Sequence, residues 1–372
     1  MKRLLFLTAT RAEFGKLKPL LRAVAGADDL EHLIVATGMH LIDRYGRTEI
    51  EITRAGFTNV RTFGNDADEA PMDAILARTV DGLGTIVREW KPDMIVVHGD
   101  RVEALAGAIV GALNNVLVGH VEGGEFSGTV DELMRHAVSK LSHVHFVANE
   151  PAREVLLQLG EQPDTIFVVG SPEVDVMLGA DLPSLDDVRT YYDIPFESYA
   201  LLAFHPVTTE VGDMDRQARE LVAAARTSGD NFVAVYPNND AGGRDILTHI
   251  EALRSEPGFR VIPSIRFEYF QTLLKHADYI LGNSSSGVRE AGVFGTPAVN
   301  VGSRQRGRNS SPLIVDVEPT AADIVRGIER ASTLAHAPMA MFGDGRSADR
   351  FLSVIRDAAT WKIPHQKIFR RV

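Results

Sequence analysis

The most constraining feature of this sequence is the repeated alternation of short apolar runs with longer segments of helical spacing. In the first half, apolar runs at residues 4–9, 94–97 and 116–121 alternate with helical segments such as 70–90. A strand–helix–strand repeat predicts a parallel sheet with helices on both faces. Because the alternation restarts at residues 199–204, we predict an α/β protein of two doubly wound, Rossmann-like domains with a cleft between facing strand ends.

The break between the two repeats indicates the domain boundary. Residues 170–193 contain two prolines and a run of acidic and polar side chains, and we interpret them as the crossover between domains. We therefore predict an N-terminal domain over residues 1–175, completed by a C-terminal helix at 347–372, and a second domain over residues 194–346. A chain of 372 residues is long enough for two domains of ordinary size.

Composition excludes several classes of function. The formal net charge is −11 and no lysine- or arginine-rich block occurs, so a nucleic-acid or anionic-membrane surface is not expected. The absence of cysteine rules out disulfides and thiolate metal sites, and it fits a reducing compartment. No apolar run is long enough to span a bilayer, and the apolar start at residues 4–7 is too short for a signal peptide. We expect a cytoplasmic enzyme without a cofactor; no residue is selected as a metal ligand, and whether the enzyme requires a metal stays open.

Charged side chains recur just past the carboxyl ends of the predicted strands in the first half. Arg11, His40, Asp100 and Glu122 occupy such positions, and Asp131 with Glu132 begins the helix after the Glu122 loop. In an open α/β sheet these strand ends share one edge, where ligands bind. Each residue also has a structural explanation: Asp100 suits a helix N-cap, and acidic residues in a first helical turn complement the helix dipole. The functional interpretation rests on their coincidence at one edge.

Residues 279–304 predict an anion site in the second half. A short strand leads into the small polar turn 282–287, then into a helical segment carrying Glu290, and a second strand precedes Arg304. The helix start offers unpaired N–H groups, the serines offer hydroxyls, and an arginine fork suits phosphate. Glu290 is placed to accept from a ribose hydroxyl pair. No G-x-G-x-x-G follows the first strand, which disfavours a standard dinucleotide site.

Eight short segments carry a family resemblance when they are taken in order. They are TRAEFG at 10–15, TGMH at 37–40, GDRVE at 99–103, HVEGGE at 120–125, DELMRH at 131–136, HPVT at 205–208, PNND at 237–240 and NSSSG at 283–287. Together they resemble the hydrolysing branch of the UDP-N-acetylglucosamine 2-epimerase family, of the sialic-acid and legionaminic-acid pathway type. The resemblance extends over almost the whole chain.

The resemblance implies a fold, partners and residue roles. It implies the GT-B arrangement with the active site between two Rossmann-like domains, often in homodimers or homotetramers, and no nicotinamide cofactor. The implied substrate is a nucleotide sugar on UDP or GDP. The implied diphosphate contacts are Ser284, Ser285, Ser286 and Gly287, with Glu290 at the ribose and with Arg11 and Arg304 at the phosphate charge. The implied sugar-side residues are Asp100, Glu122 and Asp131, with His205 at the phosphate–sugar junction. Further candidate contacts are His40, Arg101, Glu132 and Asn239.

The chemistry of C2 inversion favours an elimination route. The C2 hydrogen has no adjacent ketone, so the nucleoside diphosphate must leave C1 while a base removes that hydrogen, which gives a glycal; water then enters C1. We place Asp100 and Glu122 nearest C2, with Asp131 positioning or shuttling a proton, and which carboxylate is acid and which is base stays open.

Other substrates and reactions also stay open. The same reaction on UDP- or GDP-2,4-diacetamido-2,4,6-trideoxyglucose is one alternative, to which segments 170–175 and 192–197 look somewhat closer. A non-hydrolysing epimerase, a GT-B glycosyltransferase and a non-catalytic sensor are the others. The DELMRH segment and the Gly-Asp-Arg triplet lean toward the hydrolysing branch.

Overall fold

The structure is a computed structural model that describes residues 1–66, 70–127, 130–308 and 311–370, apart from the Arg44 side chain. Over these residues the strands form two all-parallel sheets, of seven and six strands. The chain divides into two compact units: the first comprises Met1–Glu125, Asp131–Gly179 and the segment from Phe342 onward, and the second comprises Phe126–Val130 and Ala180–Met341.

The first unit contains the seven-stranded sheet. Its strands are β1 (Lys2–Thr8), β2 (Leu30–Ala36), β3 (Val60–Thr62), β4 (Met94–His98), β5 (Leu117–Val121), β6 (Val144–Val147) and β7 (Ile166–Val168), in the spatial order β3-β2-β1-β4-β5-β6-β7. Its first helices are α1 (Arg11–Ala25), α2 (Ile50–Arg54), α3 (Met72–Trp90), α4 (Val102–Leu113), α5 (Val130–Leu141), α6 (Glu150–Gln158) and α7 (Pro172–Leu178). Every residue of β4 and β5 is buried because helices cover both faces of the sheet.

The second unit contains the six-stranded sheet. Its strands are β8 (Ala200–Ala203), β9 (Phe232–Val235), β10 (Phe259–Ile262), β11 (Ile280–Gly282), β12 (Ala298–Val301) and β13 (Ile314–Val317), in the spatial order β10-β9-β8-β11-β12-β13. Its helices are α8 (Leu185–Tyr192), α9 (Met214–Ser228), α10 (Gly243–Ala252), α11 (Phe267–His276), α12 (Ser285–Arg289), α13 (Ala291–Phe294) and α14 (Ala321–Ala331). The predicted α/β fold of two doubly wound sheets is confirmed.

The segment from Phe342 onward adds one helix, α15 (Ser347–Arg356), to the first unit. The Phe351 ring packs between Phe6 and Phe146, with ring centroids 6.3 and 4.6 Å away. The predicted helix at 347–372 is too long: the backbone becomes extended at Asp357, and Pro364 lacks the N–H that a helix needs. Residues 371–372 of that prediction lie outside the described residues.

The predicted crossover at residues 170–193 is also more ordered than expected, because it contains α7 and α8. Pro172 stands at the first position of α7, where a missing N–H costs nothing, and the Ser184 side chain caps α8 by accepting from the N–H of Asp187 at 3.2 Å. Within the described part of the chain, no helix combines the length and apolar character needed to cross a membrane.

Candidate functional site

The carboxyl ends of β1, β4 and β5 form one edge of the first sheet. β4 lies between β1 and β5, paired in parallel with both. The strand order changes direction between β1 and β4, and ligands of doubly wound sheets bind at such a switch point. Arg11 begins the helix after β1, and the loops after β4 and β5 carry Asp100 and Glu122, so the topology brings these residues to one edge.

A buried arginine, Arg135 on α5, joins Asp100 and Glu122. Its side chain is 1% exposed, and its Nη2 pairs with Oδ2 of Asp100. The same Nη2 lies 3.9 Å from Oε1 of Glu122, and Nη1 donates to the backbone carbonyl of Glu125 at 3.2 Å. The guanidinium therefore offsets the charge of two neighbouring carboxylates. Arg135 is absent from the predicted site, although it lies within the DELMRH segment.

The two carboxylates differ in their access to solvent. The Glu122 side chain is 6% exposed, whereas that of Asp100 is 24% exposed. Glu122 has φ +69°, a left-handed conformation that costs a non-glycine residue ~1 kcal/mol or more. Its Oε2 lies 3.0 Å from Nε2 of His98, the last residue of β4. Asp100 is thus the carboxylate that a ligand reaches more easily, and Glu122 is the more enclosed.

A second histidine, His120, fixes the loop that carries Asp100. Its Nε2 lies 2.8 Å from the carbonyl oxygen of Gly99, and its Nδ1 lies 3.0 Å from the hydroxyl of Ser139 on α5. Because a carbonyl only accepts, Nε2 carries the proton. Burial lowers the pKa of His120 to about 3, so the ring is neutral at physiological pH. The ring ties the Asp100 loop to β5 and α5 without adding charge.

The acidic start of α5 lies close to Arg135 in sequence and in space. Asp131 and Glu132 form the first turn and are partly buried. Asp131 precedes Arg135 by one turn, so both lie on one face of the helix. Glu132 Oε1 is 3.9 Å from Nε2 of His136, whose pKa is lowered by burial.

The predicted arginines of this unit start two helices. Arg11 is the first residue of α1, and its Nη2 lies 3.9 Å from Oε1 of Glu51. Arg101 precedes α4, and its Nε donates to Oε2 of Glu103 at 3.2 Å. Both guanidinium groups therefore already lie near a carboxylate.

His40 has a structural position. It is fully buried, with its Nε2 3.1 Å from the Thr8 hydroxyl and its Nδ1 2.9 Å from the Thr48 hydroxyl. Burial lowers its pKa to about 3. The prediction that His40 contacts a substrate does not fit this placement, because both ring nitrogens bind within the protein and the ring has no exposed surface. It braces the loop that follows β2 against the end of β1.

In the second unit the switch point lies between β8 and β11, and one asparagine connects the loops that follow them. Asn283 donates from Nδ2 to the carbonyl of His205 at 2.8 Å, and its Oδ1 accepts from the His205 N–H at 2.7 Å. His205 Nδ1 accepts from the backbone N–H of Asn238 at 3.1 Å. The neutral ring therefore carries its proton on Nε2. Asn283 is absent from the predicted site, although it directly follows a buried strand.

The helical segment that follows the serine turn is divided into two short helices, α12 and α13. Ser284 caps α12, and its hydroxyl accepts from the N–H of Ser286 at 3.3 Å. Ser284, Ser285 and Ser286 are partly exposed, whereas Gly287 is buried. α12 has only five residues and is separated from α13 by Glu290, so little helix dipole supports an anion here. The local N–H groups and hydroxyls remain as donors.

The other predicted residues of this unit lie around that turn. Glu290 is 2% exposed, and its Oε2 accepts from Nε2 of Gln271 at 2.9 Å. Arg304 donates from Nη1 to the carbonyl of Asn283 at 3.2 Å, which holds the guanidinium beside the serine turn. Asn239 is partly buried in the loop that follows β9.

Within the described ranges, one group of side chains has the spacing of metal ligands. Donor atoms of His98, Glu122 and Glu173 all lie within 4.8 Å of one another. Lys16 Nζ lies 3.7 Å from Oε1 of Glu173, and Arg135 lies beside Glu122. These two cations offset the negative charge that would otherwise favour a divalent ion.

Comparisons with known proteins show the family to which the chain belongs. A family model described as UDP-N-acetylglucosamine 2-epimerase matches residues 22–356. The sequence is 46% identical over 373 residues to a UDP-N-acetylglucosamine 2-epimerase of Neisseria meningitidis serogroup B, covering 99% of each chain. It is 34% identical to a UDP-N,N'-diacetylbacillosamine 2-epimerase (hydrolyzing) of Legionella pneumophila, covering 96% of each chain.

A solved structure matches the fold. The Methanocaldococcus jannaschii UDP-GlcNAc 2-epimerase, solved in complex with UDP-GlcNAc and UDP, is similar with a TM-score of 0.81. The identity is 23%, over 95% of this chain and 99% of that one. At that identity the likeness supports the GT-B-like α/β fold alone.

Proposed function

This chain belongs to the UDP-N-acetylglucosamine 2-epimerase family, and on that premise we propose that it is a hydrolysing epimerase. Its proposed reaction converts UDP-N-acetylglucosamine and water to N-acetylmannosamine, UDP and a proton. The observation that carries the chemistry at C2 is the pairing of Asp100 and Glu122 with one guanidinium at the switch point of the first sheet. The reaction needs two acid–base groups at a single carbon, and this pair supplies them. The hydrolysing outcome is supported by the DELMRH segment and by the name of the Legionella relative.

The first step is elimination. A carboxylate removes the C2 proton as the C1–O bond breaks, UDP leaves with the bonding electrons, and a C1=C2 double bond forms. We assign the base to Asp100, because it is the more exposed carboxylate and because the Arg135 guanidinium favours its ionised form. A positioned base of this kind contributes ~10²–10⁴-fold to the rate.

The second step is hydration of the glycal. An acid delivers a proton to C2 from the opposite face, water adds to C1, and the water loses a proton. We assign this acid to Glu122, because it is the second carboxylate beside the Arg135 guanidinium and the more enclosed of the two. Asp131, on the Arg135 face of α5, is assigned to position the attacking water or to accept its proton.

The leaving diphosphate is assigned to the second unit. The partly exposed serines 284–286 and Arg304 offer hydroxyl, N–H and guanidinium donors to phosphate. His205 donates from Nε2 to the oxygen that accumulates charge as C1–O breaks. Glu290 is assigned to the ribose hydroxyls, where a ligand would replace part of its contact with Gln271.

A second candidate substrate comes from the Legionella relative. The name of that protein specifies hydrolysis and a UDP-linked N,N'-diacetylbacillosamine. The same two steps apply to that sugar on UDP or GDP. The non-hydrolysing reaction is the other candidate, since the name of the Neisseria relative does not mention hydrolysis.

Proton NMR in deuterated water tests the proposal and separates the candidates. Purified protein with UDP-N-acetylglucosamine is expected to yield UDP and N-acetylmannosamine deuterated at C2. UDP-N-acetylmannosamine as the final product would instead indicate the non-hydrolysing reaction. No turnover here, followed by turnover of the diacetamido sugar, would move the assignment to that substrate.

Two variants test the assigned roles. Asp100→Asn is expected to block glycal formation, whereas Glu122→Gln is expected to form the glycal and release it unhydrated. Full activity in either variant would refute its assignment. Glu154→Gln, an exposed change on α6, is the matched control and should leave turnover unchanged.

A further inference from the structure

Two loops of the second unit flank the serine turn, residues 284–286. The turn follows β11, and β11 lies between β8 and β12 in the sheet. The loop after β8 carries His205, and the loop after β12 carries Arg304, so the two loops hold two of the residues assigned to the leaving diphosphate. Because β11 separates β8 from β12, these strands do not pair with each other. A side-chain bridge joins their loops instead.

Glu210 forms this bridge. Its Oε1 accepts from the hydroxyl of Ser303 at 2.5 Å, and Ser303 directly precedes Arg304. Its Oε2 accepts from Nε2 of Gln217 on α9 at 2.8 Å. The Gln217 side chain is buried, and the same Nε2 donates to Oδ2 of Asp213 at 3.1 Å. Both carboxylate oxygens of Glu210 are thus held, one by the loop after β12 and one by α9.

The segment from His205 to Glu210 is fixed along its length. The Asn283 side chain holds the His205 backbone through hydrogen bonds of 2.7 and 2.8 Å. The Val207 N–H donates to Sδ of Met214 at 3.3 Å, and Met214 is fully buried. The Glu210 N–H donates to the Val207 carbonyl at 2.8 Å. A displacement of Glu210 is therefore passed on to the loop that carries His205.

These contacts close a ring beside the serine turn. Arg304 donates from Nη1 to the carbonyl of Asn283 at 3.2 Å, and the Asn283 side chain holds His205. Glu210 and Ser303 close the ring on the other side. Each link is either a hydrogen bond or a short stretch of chain. The ring therefore fixes where Arg304 lies relative to His205.

The chemistry of Glu210 suits a bridge better than a ligand contact. A carboxylate repels an anion, so Glu210 is not expected to bind phosphate itself. The side chain is partly buried, and its two donors are a hydroxyl and an amide rather than a cation. Hydrogen bonds to an ionised acceptor are stronger than those between neutral groups, which favours a firm link between the loops.

We propose that Glu210 is a positioning residue for the loss of the diphosphate, which acts through Ser303 to set the place of Arg304 relative to His205. In the proposed reaction Arg304 offsets phosphate charge while His205 donates to the oxygen that leaves C1. Both must therefore reach one diphosphate at the same time. No bond to Glu210 forms or breaks. The inference rests on the proposed function, because that proposal assigns both residues to the diphosphate.

Nucleotide binding tests the bridge without turnover. UDP and GDP are titrated separately into wild-type protein by calorimetry, and the one that binds more tightly is the probe for the variants. Glu210→Ala should weaken its binding ~3–10-fold, because displacing Arg304 costs no more than the roughly tenfold expected for removing it. Ser303→Ala removes the same hydrogen bond from the other side, so the double variant should bind no more weakly than either single variant. Ser303→Thr keeps the hydroxyl and should recover most of the affinity.

A cycle with Arg304→Met separates positioning from a general loss of structure. If Glu210 acts through Arg304, then Glu210→Ala should change the affinity less than ~2-fold in the Arg304→Met protein. In the NMR turnover assay, Glu210→Ala should lower kcat ~10-fold, because the donors to the leaving group are misplaced. Glu329→Ala, an exposed change on α14 in the same unit, is the matched control, with unchanged affinity and kcat.

Four results would overturn the inference. They are wild-type affinity in Glu210→Ala, additive losses in the cycle with Arg304→Met, equal weakness of Ser303→Thr and Ser303→Ala, and a wild-type protein that binds neither nucleotide. If Glu210→Ala does not fold, the cycle is carried out with Ser303→Ala. Absence of turnover on every nucleotide sugar would instead refute the proposed function, while the affinity cycle would still decide the role of Glu210.

Discussion

Glu161 joins three basic side chains in the first unit, and replacing it with glutamine should cost ~3 kcal/mol of unfolding free energy at pH 7. Its side chain is fully buried, with Oε1 3.1 Å from Lys140 Nζ. Oε2 lies 2.6 Å from Lys367 Nζ and 3.2 Å from His145 Nε2. Lys367 also donates to three carbonyls at the end of α5, so the cluster anchors the helix that carries Asp131.

The magnitude follows from the pKa. Burial by itself would raise the pKa of Glu161, but His145 and Lys367 lower it from 4.5 to about 2. At ~1.4 kcal/mol per pH unit between these values, the ionised group contributes ~3 kcal/mol. Removing one partner of a buried ion pair costs a similar ~3–5 kcal/mol. Because the folded-state pKa is the lower one, this stability is present above pH 4.5 and is lost as the pH falls toward 2.

Tryptophan fluorescence is a suitable assay, because Trp90 and Trp361, the two tryptophans of the chain, both belong to the first unit. Urea unfolding of wild type and Glu161→Gln should differ by ~3 kcal/mol at pH 7 and by ~1–2 kcal/mol at pH 3. Glu154→Gln, whose carboxylate is 61% exposed, should change stability by less than ~0.5 kcal/mol. The reasoning would be refuted if Glu161→Gln lost less than about 1 kcal/mol of unfolding free energy at pH 7, or if its loss were the same at both pH values.

Three further predictions concern the second unit. Asn283→Ala removes both hydrogen bonds to the His205 loop and should lower kcat ~10–100-fold, with Asn283→Asp intermediate in the same steady-state assay. Gly282 has φ +133°, and Gly282→Ala would place a methyl group 2.1 Å from a backbone oxygen. This change should lower the unfolding free energy by more than ~2 kcal/mol in chemical denaturation. The methyl group of Gly292→Ala meets open space, so that variant should leave the unfolding free energy unchanged. Arg304→Met should weaken UDP binding about tenfold in calorimetry, with a smaller salt dependence; unchanged affinity would contradict its assignment to the diphosphate.

The alternation of apolar runs predicts most of the fold because parallel strands must be buried on both faces. The strands at 94–98 and 117–121 each differ by a single residue from the predicted runs at 94–97 and 116–121. β3 has no such signal, because it has three residues and two of them are exposed. The break of the serine-turn helix at Glu290 likewise has no mark in the sequence; the Glu290 carboxylate there accepts a hydrogen bond from Gln271 of α11.

The site is less predictable because its connections are long-range. Asp100 and Glu122 can be selected from the sequence since each follows a buried strand. Arg135 cannot, because its role depends on a partner 35 residues away, and Asn283 acts on a backbone 78 residues away. His40 shows the converse: its position after a strand is typical of a ligand contact, but Thr8 and Thr48 enclose it.

The core of the first unit is completed late in synthesis, because Phe351 belongs to it. The ribosome completes the second unit at Met341 before it makes the aromatic ring that fills the space between Phe6 and Phe146. At ~5–20 residues per second, the first unit waits roughly 9–36 s between the emergence of β7 and that of α15. During this interval the nascent chain exposes an apolar face of its first sheet. The half of the protein that holds the carboxylates is thus begun first and finished last, and that interval is when a chaperone would be needed.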